Sequence, residues 1–190
     1  MTATEDEKDK PATRRGKAVE TVGLLVVGVA AALLLQAFVI GSFWIPSESM
    51  EKTLEVGDRV IVNKLHGATE RGDVVVFTGW HDQDTIKRVI AVAGDTVVCC
   101  DAQRRITVNG VPIEEKDYLY PGDYPSGDAF KETVPPGHLW VMGDHRSASS
   151  DSRDNGTVPE DQVVGRAFAV YWPFSRAAVL SRPETFAKIR

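Results

Sequence analysis

Ile106-Thr107-Val108-Asn109-Gly110-Val111-Pro112-Ile113 is the stretch that decides the fold. Two short β-type runs, Ile106–Val108 and Val111–Ile113, flank Asn109-Gly110. Asn-Gly between such runs is the strongest two-residue hairpin signal, because both central residues of the matching turn need positive φ. The pattern repeats on both sides. Arg59–Val62 follows Gly57-Asp58, and Val74–Phe77 follows Arg71-Gly72-Asp73. Ile86–Ala93 ends at Gly94-Asp95, and Thr96–Cys99 comes next. Leu139–Met142 and Val163–Tyr171 complete the set. No stretch beyond Ser47 sustains helical periodicity, although Pro173–Lys188 has room for a short helix. Short strands set off by Gly, Asp and Pro turns predict a mainly β fold, an antiparallel barrel or sandwich. Residues 114–136 are rich in Pro, Gly, Asp and Tyr and read as a loop over the surface. With the strands before them they make a small β excursion, about residues 96–136.

One segment breaks the pattern. No charge occurs from Thr21 to Ser47, and Val22–Ile40 is apolar apart from Gly and Gln36. About 20 apolar residues are needed to span the hydrocarbon core as a helix. The run predicts one N-terminal transmembrane helix, residues 21–43, between a tail (1–20) and an outer domain (44–190). Lys10, Arg14, Arg15 and Lys17 precede it with no acid among them, and Glu48 and Glu51 follow. The positive-inside rule then puts the N-terminus in the cytoplasm and the large domain outside. Phe43 and Trp44 fall at the expected exit, where aromatic rings are favoured. A cleaved secretory signal is the competing reading. It would be shorter and end in small residues, whereas this run ends in bulky ones. A buried core helix is the third reading, against which the run shows no polar face.

The composition excludes other classes. The chain has 190 residues, 22 Lys+Arg and 27 Asp+Glu, for a net charge of -5. Residues 1–20 carry equal numbers of acids and bases, so the negative balance belongs to residues 21–190. A mildly acidic domain has no electrostatic footprint for nucleic acid. A multi-span transporter is excluded by the lack of a second apolar run. The only cysteines, Cys99 and Cys100, are adjacent and make no zinc ligand set. They read as two buried free thiols, with a vicinal disulfide as the alternative. No cofactor or metal is implied. His81-Asp82-Gln83-Asp84 reads as a solvated loop, Arg71-Gly72-Asp73 as a turn before a strand, and Asn155-Gly156 as a turn pair.

Three stretches have unusual chemistry. They are Pro46-Ser47-Glu48-Ser49-Met50, then Thr85-Ile86-Lys87-Arg88-Val89-Ile90, then Gly143-Asp144-His145-Arg146-Ser147-Ala148-Ser149-Ser150-Asp151-Ser152-Arg153. Strand alternation puts Lys87 on one face with Thr85, Val89 and Ala91, and Arg88 on the other with Ile86 and Ile90. If the Lys87 face is buried, desolvation lowers its pKa. Bringing a lysine from about 10.4 to near neutrality needs roughly 4 kcal/mol, which burial can supply. A lysine that snorkels from a strand edge is the bland alternative.

Together these stretches resemble the bacterial type I signal peptidases, membrane-bound Ser/Lys proteases that remove signal peptides from exported proteins. The likeness covers the anchor, Pro46–Leu54, Gly57–Asn63, Arg71–Phe77, Ile86–Asp95, Met142–Arg153 and Val164–Pro173. It implies that Ser49 is the nucleophile and Lys87 the general base. It implies that Ser47 lends its hydroxyl to the oxyanion hole beside the Ser49 backbone N–H, and that Ser149 orients the lysine. Asp144, Arg146, Asp151 and Arg153 match charged positions that brace the site. Signal peptides cut after small residues (Ala-x-Ala type) would be the substrates. Shallow apolar pockets for them would be lined by Pro46, Met50, Leu54 and Ile86, with Ile45 beside them; the alternative for these residues is core packing. An extended substrate would add a strand beside the catalytic one. The lipid bilayer is the other implied partner, and the implied location is the bacterial plasma membrane, single-pass, with the catalytic domain on its outer face.

The chain departs from the family pattern at Lys52, where Pro is frequent, at Thr85, where an aromatic is frequent, and at His145, where Asn is usual. His145 opens a rival triad, Ser49–His145–Asp144, although adjacent residues seldom orient one another. Two further readings stay open: a membrane-anchored β binding module without catalysis, and another Ser/Lys processing protease of the self-cleaving repressor type.

Overall fold

The computed structural model describes residues 14–65, 67–80 and 82–189. Within the first helix the side chains of residues 14–16, 18 and 35–38 also lie outside the description. The basic residues Lys8 and Lys10 and the loop residue His81 are outside it too. The chain forms two compact units, residues 1–38 and 39–190.

The first unit holds helix α1 (Arg14–Phe38). Every described side chain along it is exposed, including Val22, Leu24, Leu25, Val26, Val27 and Leu33. Among the described residues no helix is long and apolar enough to cross a membrane. Helix was expected to run to residue 43, but the chain changes to strand at Ile40. Ile40, Phe43 and Trp44 have the branched and aromatic side chains that suit a half-buried strand.

The second unit follows as β1 (Ile40–Trp44), β2 (Arg59–Asn63), β3 (Val74–Thr78), β4 (Asp84–Val92), β5 (Thr96–Cys99), β6 (Ile106–Val108) and β7 (Val111–Pro112). Then come β8 (Phe130–Thr133), β9 (His138–Met142), α2 (Ser152–Asn155), β10 (Val158–Pro159), β11 (Val163–Trp172) and β12 (Ala178–Val179). Among the described residues these make two sheets. The larger runs β1-β2-β11-β3-β4-β9-β10, with β12 on β11, and the smaller runs β7-β6-β5-β8. All pairings are antiparallel. The smaller sheet is the excursion predicted around the Asn109-Gly110 hairpin, where both residues have positive φ. Two differences stand out at the end of the chain and in the loop. β8 lies inside residues 114–136, and Pro173–Lys188 holds two 3₁₀ turns, Phe174–Arg176 and Glu184–Lys188, around β12.

One apolar core lies between the sheets and joins Ile90, Trp140 and Met142 to Val97, Ile106, Val108 and Ile113. A second, of Ile45, Met50, Leu54, Val60, Val62, Val74, Val76, Ala167 and Val170, lies beneath the turn after β1. The two cysteines are joined as a vicinal disulfide, which corrects the free-thiol reading. Cys99 ends β5 and Cys100 lies beyond it, where strand alternation no longer sends neighbouring side chains to opposite faces. Arg71-Gly72-Asp73 is a turn that folds inward: Arg71 pairs with Asp95 and the buried Asp73 with Arg182.

Candidate active site

The turn after β1 is fixed at both ends. Ile45 N–H donates to Asp58 O (2.9 Å), and the Ile45 carbonyl accepts from Gly57 N (2.9 Å). Ser47 is extended (φ -134, ψ 161), and a 3₁₀ turn over Glu48–Met50 follows. Met50 is wholly buried in the core, so the turn is pinned through it and Ser49 stands at the surface of that core. Met50 and Leu54 were expected as pocket lining; they have no exposed surface and fill the core instead. Pro46 is exposed and Ile86 half-buried.

β4 brings the partner. Lys87, opposite Val75 of β3, is 4 % exposed, and its Nζ lies 2.6 Å from Ser49 Oγ in a hydrogen bond. Burial pushes the Lys87 ammonium down to about 8; the charges of Asp151 and Asp144 pull it up, and Arg153 pushes it down again. Ser47 Oγ lies 3.4 Å from Ser49 Oγ. Ser47 occupies the N-cap position of the turn, but its side chain makes no capping bond.

Arg88, on the opposite face of β4, meets Asp144. Its Nε and Nη2 donate to the two carboxylate oxygens at 2.8 and 2.6 Å, and Thr53 Oγ1 donates to Oδ2 at 2.5 Å. Asp144 is fully buried. Arg146 donates to Gly143 O (2.8 Å) and Pro125 O (2.6 Å) and pairs with Glu115 (2.5 Å). Arg153 pairs with Asp151 (2.8 Å) and donates to Arg146 O (2.8 Å). Burial works against the Asp151 carboxylate, but the bonds from Arg153, Gly143 N and Ser149 hold it below the usual carboxylate range. Asp144, Arg146, Asp151 and Arg153 thus converge on the segment behind Lys87 and Ser49.

Ser149 differs from expectation. Its hydroxyl donates to Asp151 Oδ2 (2.8 Å), and no hydrogen bond joins it to Lys87 among the described residues. An ionised carboxylate is the stronger acceptor for a hydroxyl. The triad Ser49–His145–Asp144 is not assembled. Asp144 is engaged by Arg88 and Thr53, while His145 Nδ1 faces Glu51 Oε2 at 3.4 Å.

Four contributors were not read from the sequence as site residues: Thr53, Glu115, Tyr118 and Gly143. Tyr118 lies under the Arg88 guanidinium, 4.5 Å from ring centre to Cζ, and donates to Glu115 (2.9 Å). A Cβ on Gly143 would stand 2.4 Å from Ser49 O and 2.3 Å from Ser149 Oγ, so only glycine allows this approach. A glycine that opens the charged third stretch was the available signal. The partners of Glu115 and Tyr118 lie too far along the chain for spacing to reveal them.

A sequence model of the family described as signal peptidase, peptidase S26, matches residues 18–172. Signal peptidase I of Mycobacterium tuberculosis (strain ATCC 25618 / H37Rv) is 36 % identical over 94 % of this chain and 80 % of that protein. Signal peptidase I of Leptolyngbya laminosa is 36 % identical over 97 % and 91 %. Signal peptidase IB of Staphylococcus aureus (strain MRSA252) is 33 % identical over 87 % and 95 %.

Proposed function

The chain belongs to the signal peptidase family, peptidase S26, and on that premise we propose that it is a serine endopeptidase that cuts signal peptides from exported preproteins with Ser49 as nucleophile and Lys87 as base. The 2.6 Å contact between Lys87 Nζ and Ser49 Oγ carries the reading. In the neutral form the amine accepts the Ser49 proton as Oγ attacks the scissile carbonyl. The developing oxyanion takes a hydrogen bond from the Ser47 hydroxyl, which no capping bond occupies. The Lys87 ammonium then protonates the leaving amine, and the neutral amine next activates the water that frees the acyl group. A base near 8 suits this cycle, since it gives and takes a proton at little cost near neutral pH. Asp144, Arg146, Asp151 and Arg153 hold the loop after β9 against β4 and keep Lys87 aimed, with Ser149 acting through Asp151. Pro46 and Ile86 border the substrate's small side chains.

The uncharged run from Thr21 to the end of α1 at Phe38 anchors the chain at the bilayer, with residues 1–20 in the cytoplasm and 39–190 on the outer face. Support comes from the uncharged run Thr21–Ser47, the basic residues before it, and apolar side chains exposed around α1. Trp44, 60 % exposed, suits a membrane interface. Cleavage of a preprotein by detergent-solubilised protein tests the enzyme: Ser49→Ala should fold, stay with the membrane fraction and cleave at background. Full activity in that variant sinks the assignment. Protease added to intact cells should spare a tag at the N-terminus; a tag that is cut reverses the topology.

A further inference from the structure

The nucleophile turn carries acids that the proposed cycle does not use. Glu48 precedes Ser49, and Glu51 follows it by two residues. His145 comes from the loop after β9, and its backbone N–H donates to the Ser49 carbonyl (3.1 Å). One ligand-type atom from each of Glu48, Glu51 and His145 lies within 4.8 Å of the others. The imidazole is held in place. It stacks on Tyr120 with ring centroids 3.8 Å apart and planes 16° apart, and its side chain is 12 % exposed.

Two details separate this group from an ordinary surface cluster. His145 Nδ1 is buried and has no hydrogen-bond partner. Glu51 Oε2 stands 3.4 Å from it. Charge-assisted bonds of this type close to about 2.7–2.9 Å. Two ligands on a tetrahedral zinc, each bonded at about 2.0–2.1 Å, stand about 3.4 Å apart. The imidazole and the carboxylate therefore have the spacing of two ligands that share an ion.

We infer that Glu48, Glu51 and His145 form a site for a borderline divalent cation, Zn²⁺ foremost, which ties the nucleophile turn to the loop after β9 and slows cleavage. Imidazole with carboxylates suits Zn²⁺, whereas Mg²⁺ prefers oxygen ligands and its own waters. Glu48 and Glu51 bracket Ser49, so drawing both to one ion reshapes the turn that aims its Oγ. The effect on cleavage rests on the peptidase reading; the binding does not.

The test uses the full chain in detergent micelles after removal of metal by a chelator. Zn²⁺ is titrated by calorimetry, Co²⁺ by its visible absorption, and preprotein cleavage is measured with and without Zn²⁺. One Zn²⁺ per chain should bind, with a tetrahedral Co²⁺ spectrum and no response to Mg²⁺. Affinity should fall at least about tenfold in His145→Asn and in Glu51→Gln, and zinc sensitivity of cleavage should fall with it. If either variant melts early, Glu48→Gln, at an exposed position, replaces it. Absent binding, or affinity unchanged in the variants, overturns the site. Binding that follows the variants while cleavage ignores zinc overturns the effect on the turn. Calorimetry does not read turnover, so a chain that binds Zn²⁺ and cleaves nothing sinks the peptidase reading and leaves the site standing.

Discussion

The smaller sheet buries Val97, Ile106, Val108 and Ile113, whereas the junction of β4 with the loop after β9 buries Lys87, Arg88, Asp144, Arg146 and Asp151. Both regions are antiparallel strands joined by tight turns. Their energetics differ. Apolar burial contributes about 25 cal/mol per Å² removed from water. A buried ion pair about breaks even against apolar residues of the same volume, and a buried charge without its partner is costly. The charged junction is therefore not held for stability. It keeps one amine dry and within reach of one hydroxyl, and the apolar sheet beside it supports that arrangement.

The contrast breaks most sharply at Lys87. Lys87→Met removes a buried amine, so the melting temperature should hold or rise while cleavage falls to background. Lys87→Arg should be equally inactive, because guanidinium stays charged. In the wild type, cleavage should climb as pH rises through about 8, since burial pushes Lys87 down to that value and only the neutral amine can take the Ser49 proton. Initial rates across pH on a peptide substrate check this. A flat profile, or an active Lys87→Arg, removes Lys87 from the role of base.

Ser47→Ala is the next largest effect. The loss should be about 10²–10³-fold in kcat with little change in KM, because the bond forms chiefly in the transition state. Thermal stability should not move, as the hydroxyl caps nothing in the turn. A drop in melting temperature with kcat kept would return Ser47 to a structural part.

The smallest effect sharpens the comparison instead of breaking it. Gly110→Ala, in the smaller sheet, puts a side chain at φ +77 with nothing within 4 Å, and should cost about 1–2 kcal/mol and no activity. Gly143→Ala drives a methyl group to 2.4 Å from Ser49 O, and should cost about 1–3 kcal/mol with a fall in kcat. Denaturant melts paired with kinetics separate the two. Equal kinetic losses would mean that the junction has no special geometry.

The strands were legible where a short β-branched or apolar run meets a turn residue. β2, β3, β5 and β6 lie within a residue of their sequence boundaries. β1 was hidden because Ile40–Trp44 continues an uncharged run that reads as helix. β8 was hidden because Lys131, Glu132 and Thr133 are all exposed and leave no alternation. Ser49 and Lys87 stand 38 residues apart, and strand alternation alone could not join them; the resemblance supplied that pairing. It did not foretell the route at Ser149, whose hydroxyl turns to a carboxylate two residues away. Met50 and Leu54 show the limit of apolar character as a guide, since a pocket wall and a core filler have the same side chain.

Arg146 has one further consequence. Through Glu115 and the Pro125 carbonyl, its guanidinium staples both ends of an eleven-residue arc to the same segment that carries Gly143. Whatever the chain does past Pro125, from Ser126 to Ala129, happens beyond the last staple. That is the place where an insertion, a tag or a borrowed loop can be grafted while the spacing of Ser49 and Lys87 is kept, and the arc from Glu115 to Pro125 is the place to leave at its present length.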